Sequence, residues 1–125
     1  MEAKTILLVE DDNDLLFLMN KKLTDEGFKV AAFETGGGAL DYLKTNKPDF
    51  AILDIMLPDI DGLTILNEMA KNPTTCEIPV IILSNLADQG SFEQAAAIGD
   101  YEYLVKAQTD LNVLVKKIKT KLKLG

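Results

Sequence analysis

The sequence contains no histidine and only one cysteine, Cys76. Without an imidazole, the chain has no His-based acid–base catalysis, no His-ligated zinc and no phosphohistidine of its own. A single cysteine allows no internal disulfide, and it favours a reducing compartment. No apolar run approaches the ~20 residues of a membrane-spanning helix. We therefore expect a cytoplasmic protein with no membrane contact.

Basic residues are in the minority, with 13 Lys and Arg against 20 Asp and Glu, and the net charge is -7. General affinity for nucleic acid depends on basic patches that neutralise phosphates, so we expect no direct nucleic-acid partner. A length of 125 residues with 47% hydrophobic residues suffices for one hydrophobic core. We expect a single domain over residues 1–125 with no further domain attached.

Short apolar runs alternate with longer amphipathic stretches five times along the chain. The apolar runs predict strands at residues 5–9, 29–33, 50–53, 80–83 and 101–105. The amphipathic stretches predict helices near residues 13–26, 37–45, 63–71, 88–98 and 110–122. Parallel strands need crossover connections, so this alternation predicts an α/β fold with a five-stranded parallel sheet and helices on both faces.

The polarity of the runs predicts the order of the strands. The runs at 6–9, 50–53 and 80–83 contain no polar residue, as central parallel strands should. The other two runs contain Lys29 and Glu102, which suit sheet edges. This distribution fits the doubly wound order 2-1-3-4-5, in which ligands bind beyond the carboxyl ends of the strands.

An unusual density of acid follows the first apolar run, in the segment "VEDDNDLL". Two carboxylates about 5 Å apart repel by roughly 3 kcal/mol at an effective dielectric of ~20. Helix capping explains one or two acids at such a place, and we assign that role to Asp12. The remaining acids, Glu10, Asp11 and Asp14, are more than a cap needs, and the excess favours a bound cation.

Polar residues also follow the other strands that end at this edge of the sheet. Asp54 follows strand 3, Ser84 follows strand 4 and Lys106 follows strand 5. Together with Glu10 and Asp11 they offer carboxylate ligands for Mg²⁺, which keeps waters that phosphate oxygens can replace. The ammonium and the hydroxyl can contact a phosphoryl group. The sequence therefore predicts a metal site for phosphoryl chemistry.

Four segments at the strand ends, "ILLVEDD", "AILDIMLPDIDGL", "PVIILSN" and "GDYEYLVK", occur in order along the chain. With them the sequence resembles, over essentially its whole length, a CheY-like receiver domain of two-component response regulators, which has a flavodoxin-like fold. The resemblance implies that Asp54 accepts a phosphoryl group. It also implies that Asp11, Asp54 and the Met56 carbonyl ligate Mg²⁺ directly, with Glu10 acting through water.

The same resemblance implies that Ser84 is the switch hydroxyl, Lys106 the phosphate-contacting lysine and Tyr103 the switch aromatic. Tyr103 could instead simply pack under the last helix. Two positions depart from the family pattern: Ala107 replaces the usual proline, and Asn85 is bulkier than the usual small residue. The family's lysine–proline bond is typically cis, and we expect a trans bond here, because a non-proline cis bond costs about 2.5–4 kcal/mol.

The resemblance implies a stand-alone receiver without an output domain that takes a phosphoryl group from a histidine kinase or phosphotransfer protein. It would catalyse only its own phosphorylation and dephosphorylation, and would signal as a monomer or weak dimer to a protein target. We expect the target to bind the face of helix 4, strand 5 and helix 5. A degenerate receiver that serves only as a binding module remains an alternative.

Two other classes fit the chemistry less well. A flavodoxin-like flavin carrier would need a phosphate-binding loop after strand 1, where this chain has acids. A haloacid-dehalogenase-like phosphatase would need a second acid where Met56 stands. Nearby, Asp59 and Asp61 are expected to serve the turn before Gly62. The "TGGG" at residues 35–38 lacks the following Gly-Lys-Ser/Thr of a phosphate loop, and we interpret it as a weak helix start.

Overall fold

The computed structural model of the chain describes residues 3–84, 89–99, 101–106 and 109–124. Five strands alternate with five helices in the described part of the chain. The strands are β1 (Thr5–Val9), β2 (Lys29–Phe33), β3 (Phe50–Asp54), β4 (Val80–Ser84) and β5 (Glu102–Val105). The helices are α1 (Asn13–Asp25), α2 (Gly36–Thr45), α3 (Gly62–Lys71), α4 (Gln89–Ile98) and α5 (Leu111–Lys121).

The strands form one parallel sheet in the order β2-β1-β3-β4-β5, which confirms the prediction. Every residue of β3 and β4 is buried, whereas β2 and β5 are at most half-buried. This difference follows from position, because central strands are covered on both faces and edge strands are not. Lys29 and Glu102 therefore marked the edges correctly.

Two hydrophobic clusters lie on opposite faces of the sheet. Alternate residues of each central strand enter different clusters, as in β1, where Leu7 and Val9 enter one and Ile6 and Leu8 the other. The first cluster also contains buried residues of α2, α3 and α4, and the second contains those of α1 and α5. Within the described residues, no helix is both long and apolar enough to span a bilayer.

Two of the central strands, β3 and β4, extend one residue further than the apolar pattern indicates. Asp54 pairs with Leu83, and Ser84 pairs with Val105, so both polar residues belong to the parallel ladder. Ladder pairing uses backbone groups, and a polar side chain is compatible with it at the open end of a sheet. Most helix and strand bounds agree with the sequence prediction to within one residue, while residue 88, the predicted start of helix 4, lies outside the described residues.

Candidate functional site

Three carboxylates meet at the carboxyl edge of the sheet. Glu10 follows β1 directly and Asp54 is the last residue of β3, the neighbouring strand. Each of Glu10, Asp11 and Asp54 places a carboxylate oxygen within 4.8 Å of the others. Glu10 and Asp54 are buried, whereas Asp11 is exposed. The predicted acid cluster is therefore formed, at the switch point between β1 and β3.

Lys106, directly after β5, reaches the two buried acids. Its Nζ donates hydrogen bonds to Oδ2 of Asp54 at 2.7 Å and to Oε2 of Glu10 at 3.0 Å. It also lies 3.0 Å from Oε1 of Glu10. The three side chains are 15%, 2% and 0% exposed for Lys106, Asp54 and Glu10, so these ion pairs are largely removed from water. The one ammonium faces two carboxylates, which leaves an excess of negative charge.

Burial and the neighbouring charged groups shift the pKa values of the cluster. Burial raises the pKa of Asp54 to about 7, and Glu10 adds to the rise, although the hydrogen bond from Lys106 opposes it. Burial lowers the pKa of Lys106, but its hydrogen bonds to Asp54 and Glu10 outweigh burial and raise it overall. For Asp11, burial raises the pKa, yet hydrogen bonds with Asp54 and Glu10 leave it below its ordinary value.

Oγ of Ser84 is buried with no hydrogen-bond partner among the described residues. Oε1 of Glu10 is also buried without a hydrogen bond there, although it forms an ion pair with Nζ of Lys106 at 3.0 Å. A buried polar atom without a partner costs about 1–3 kcal/mol, and a bound ligand or a reacting group is one kind of partner that can satisfy it. A carboxylate oxygen can accept a hydrogen bond from water that is bound to a cation, and a hydroxyl can donate a hydrogen bond to an anion. The donor set therefore fits both a hard divalent cation and a phosphoryl group.

The loop after β3 (residues 55–61) stays close to Asp54. The backbone N–H of Met56 donates to Oδ1 of Asp54 at 3.2 Å, while Met56 as a whole is 57% exposed. Gly62 donates its N–H to the carbonyl of Ile55 at 2.9 Å. A Cβ at Gly62 would collide with the carbonyl oxygen of Asp54, which explains the glycine at the start of α3.

Tyr103 lies on β5, opposite Ile82 of β4, and is half-buried. It packs against the cluster that contains the α3 and α4 residues, while the buried residues of α5 belong to the other cluster. The alternative that Tyr103 packs under the last helix is therefore wrong. The adjacent strand β4 ends at Ser84, the predicted switch hydroxyl. The family departures at Asn85 and Ala107 lie outside the described residues.

Other acids of the sequence take capping positions. Asp12 is the N-cap of α1 and accepts from the N–H groups of Asp14 and Leu15, as predicted. Asp61 caps α3 through Thr64. Asp59 was expected in the same turn, where a backbone hydrogen bond from Ile60 does reach it, and its carboxylate also accepts hydrogen bonds from the first residues of α2. Sequence spacing gave no signal for that contact, because it joins distant parts of the chain.

The family model of the response regulator receiver domain matches residues 6–119. The chain belongs to this family. The regulatory protein VanRc of Enterococcus gallinarum is 32% identical over 121 residues, which cover 97% of this chain and 51% of that protein. A CheY-like receiver domain from Methanospirillum hungatei JF-1 has a TM-score of 0.89 at 28% identity, covering 98% of this chain and 95% of that one.

A third similar protein is a DrrB receiver domain in a BeF3-activated form, with a TM-score of 0.84 and 28% identity over 98% of this chain and 99% of that one. The family match over residues 6–119 sets the flavin-carrier alternative aside. Phosphorylation and Mg²⁺ are typical of the receiver family. The chain spans about half of VanRc and about a quarter of the response regulator PleD of Caulobacter vibrioides. The predicted absence of an output domain stays a prediction.

Proposed function

We propose that this receiver accepts a phosphoryl group on Asp54 from the phosphohistidine of a histidine kinase or phosphotransfer protein. The observation that carries the proposal is the buried Asp54 carboxylate, 2.7 Å from the ammonium of Lys106 and grouped with Glu10 and Asp11. Opposite charges meet there at the edge of the sheet where ligands bind in this topology. Ordinary structural ion pairs do not require three acids around one lysine.

The same residues would hold Mg²⁺. Asp11 and Asp54 would bind it through carboxylate oxygens, Met56 through its carbonyl oxygen and Glu10 through water. Once bound, the ion would supply positive charge between the acids and the incoming phosphoryl group. The excess negative charge of three grouped carboxylates beside one ammonium supports this assignment.

The residues of the chain would divide the remaining tasks. An oxygen of Asp54 bonds to phosphorus while the bond from phosphorus to the donor imidazole breaks, and the donor nitrogen keeps the electron pair. Lys106 stabilises charge on the phosphoryl oxygens, and the Ser84 hydroxyl donates to one of them. Water later hydrolyses the aspartyl phosphate. The chain would act only on its own phosphorylation state and not on a separate substrate.

We further propose that the signal leaves through protein contacts at the face of α4, β5 and α5. Ser84 would move toward the phosphoryl group, and Tyr103 would follow into a different packing, which shifts the population between two states of that face. The net charge of -7 supports a protein target and opposes direct binding to nucleic acid. We place the chain in the cytoplasm as a monomer or weak dimer.

Phosphorylation by a small donor tests the proposal. Wild type, Asp54→Asn and Asp12→Asn are incubated with phosphoramidate, with Mg²⁺ or with chelator, and resolved by Phos-tag electrophoresis. We expect a retarded band in wild type and Asp12→Asn with Mg²⁺, and none in Asp54→Asn. Retardation of Asp54→Asn would contradict the acceptor assignment. No retardation of any variant would favour the degenerate receiver, which only binds proteins.

A further inference from the structure

The start of α2 is intrinsically weak. Its first three residues are Gly36, Gly37 and Gly38, and glycine is a poor helix former because it loses the most backbone entropy on ordering. The N-cap Thr35 satisfies one of the first backbone donors by accepting from the N–H of Gly38 at 3.1 Å. The N–H groups of Gly36 and Gly37 have no acceptor within the helix itself.

Asp59 satisfies those two donors from another part of the chain. Oδ1 of Asp59 accepts from the N–H of Gly36 at 2.9 Å, and Oδ2 accepts from the N–H of Gly37 at 3.0 Å. A carboxylate is favoured there because it meets free donors at the positive end of the helix dipole. Backbone hydrogen bonds, first from Ile60 and then from Gly37, lower the pKa of Asp59.

The close approach explains the glycines. A Cβ at Gly36 would collide with the carbonyl oxygen of Ile60. A Cβ at Gly37 would lie 2.9 Å from Oδ2 of Asp59, closer than real Cβ contacts allow. Because Gly36 and Gly37 of the "TGGG" segment have no Cβ, the loop at residues 55–61 can pack directly against the N-terminal end of α2. This accounts for a motif that the phosphoryl chemistry does not use.

The loop that Asp59 connects to α2 is also the loop that adjoins Asp54. Its first half carries Met56, whose N–H donates to Oδ1 of Asp54. Its two ends are joined by the hydrogen bond from Gly62 to Ile55. Between these fixed ends, Asp59 supplies the hydrogen bonds that join the middle of the loop to a different helix. Loss of that contact would free the loop to move relative to Asp54.

We propose that Asp59 is a positioning residue that holds the β3–α3 loop, and with it the Met56 carbonyl, in place for a divalent cation. This inference rests on the proposed function, because it takes Met56 as a ligand. Partners that orient metal ligands typically change metal affinity by 10- to 100-fold when removed. Asp59 acts through the loop, so we expect Asp59→Ala to weaken Mg²⁺ binding about tenfold, at the low end of that range.

Isothermal titration with Mg²⁺, at a temperature where every variant is folded, measures the effect in the native state alone. Asp61→Ala is the matched control, since it removes the same charge from the same loop and also uncaps a helix, but its contact is local. We expect nearly wild-type affinity for that control. Asp59→Asn keeps an acceptor oxygen and should recover part of the affinity, which also covers the case in which Asp59→Ala does not fold.

Gly37→Ala tests the contact from its other side and separates metal binding from stability. The added methyl displaces the Asp59 carboxylate, whereas alanine has a much higher helix propensity than glycine. We expect weaker Mg²⁺ binding without a matching loss of thermal stability. In the metal-free protein, hydrogen exchange at the Met56 amide should accelerate in Asp59→Ala and remain unchanged in Asp61→Ala.

The outcomes distinguish the two claims. If wild type binds Mg²⁺, Asp11→Ala does not, and Asp59→Ala binds as wild type does, the positioning role is overturned and the metal site stands. Equal losses in Asp59→Ala and Asp61→Ala would also overturn it, because the effect would then be general to the loop. If wild type fails to bind Mg²⁺, or Asp11→Ala binds equally well, the proposed metal site fails and the positioning role fails with it.

Discussion

Glu10 and Asp12 lie two residues apart in the same acidic segment, yet they occupy opposite environments. Glu10 is fully buried, and both of its carboxylate oxygens lie 3.0 Å from the ammonium of Lys106. Asp12 is exposed and caps α1 through two backbone donors. The backbone joins the two, since the N–H of Asp12 donates to Oε2 of Glu10 at 3.0 Å. Identical charges thus pair with a lysine where they are buried and cap a helix where water screens them.

Of the changes that test this comparison, replacement of Lys106 should alter the free energy of unfolding most. Lys106→Met leaves two buried acids without their counter-ion, and breaking a buried pair in this way typically costs about 3–5 kcal/mol. Lys21→Met is the matched control, because Lys21 forms an exposed pair with Asp25, and such pairs contribute about 0–1 kcal/mol. Urea unfolding without metal, at about pH 8, measures both. Equal losses of unfolding free energy in the two variants would show that the buried ion pairs contribute no more than an exposed pair.

Without metal, neutralising Asp54 should change the free energy of unfolding in the opposite direction to Lys106→Met. The folded-state pKa of about 7 lies above the ordinary 3.8, so the native state binds more protons than the unfolded state between these values. The free energy of unfolding attributable to Asp54 therefore falls as the pH rises through this window, by at most about 1.4 kcal/mol per pH unit. Asp54→Asn should lose that dependence and should be at least as stable as wild type at about pH 8.

The measurement is the difference in unfolding free energy between wild type and Asp54→Asn at several pH values in chelator. Taking the difference removes the contributions of acids distant from the cluster, which are common to both proteins. A variant that is clearly less stable above pH 7 would mean that ionised Asp54 stabilises the fold, and the cluster would then be structural.

Bound Mg²⁺ should offset the repulsion between the carboxylates of the cluster and so stabilise the fold. A ligand that binds only the native state adds about 2.7 kcal/mol at ~100 times its dissociation constant. Thermal melts with Mg²⁺ and with chelator should show this gain in wild type and in Asp12→Ala, but not in Asp11→Ala. Because the ion needs ionised Asp54, the gain should shrink as the pH falls below about 7. An equal gain in Asp11→Ala would contradict the assigned site.

Replacement of the exposed Asp12 should change the free energy of unfolding least. Asp12→Ala removes an N-cap, which typically costs about 1 kcal/mol. Its dissociation constant for Mg²⁺ should equal that of wild type, since the cap faces α1 and not the cluster. Chemical denaturation and titration on the same preparation measure both quantities. Weaker Mg²⁺ binding in Asp12→Ala would contradict the claim that Asp12 serves only the helix cap while Glu10 serves the metal site.

The fold was predictable because burial and polarity repeat with regular periods. Apolar runs located the central strands, and Lys29 and Glu102 located the edges. The convergence of Glu10, Asp54 and Lys106 followed from parallel topology, which brings all strand ends to one edge. The ion-pair distances and the elevated pKa of Asp54 did not follow, because they depend on side-chain packing.

The contact of Asp59 was not predictable for a different reason. Asp59 and Asp61 look alike in sequence, and a local turn explains both equally well. Only the packing of the β3–α3 loop on α2 directs Asp59 to Gly36 and Gly37, while Asp61 caps its own helix. Likewise, nothing in the polarity of β5 indicates that Tyr103 packs on the α3–α4 side of the sheet.

Mapping the phosphoryl group on the protein tests the central claim most directly. Wild type is phosphorylated with phosphoramidate and Mg²⁺, the aspartyl phosphate is trapped by borohydride reduction, and the modified residue is located by peptide mass spectrometry. We predict modification of Asp54 alone, with Glu10, Asp11 and Asp12 unmodified. Modification of an exposed acid such as Asp12, or of several acids without preference, would contradict the claim that the buried cluster around Lys106 is the phosphoryl-accepting site.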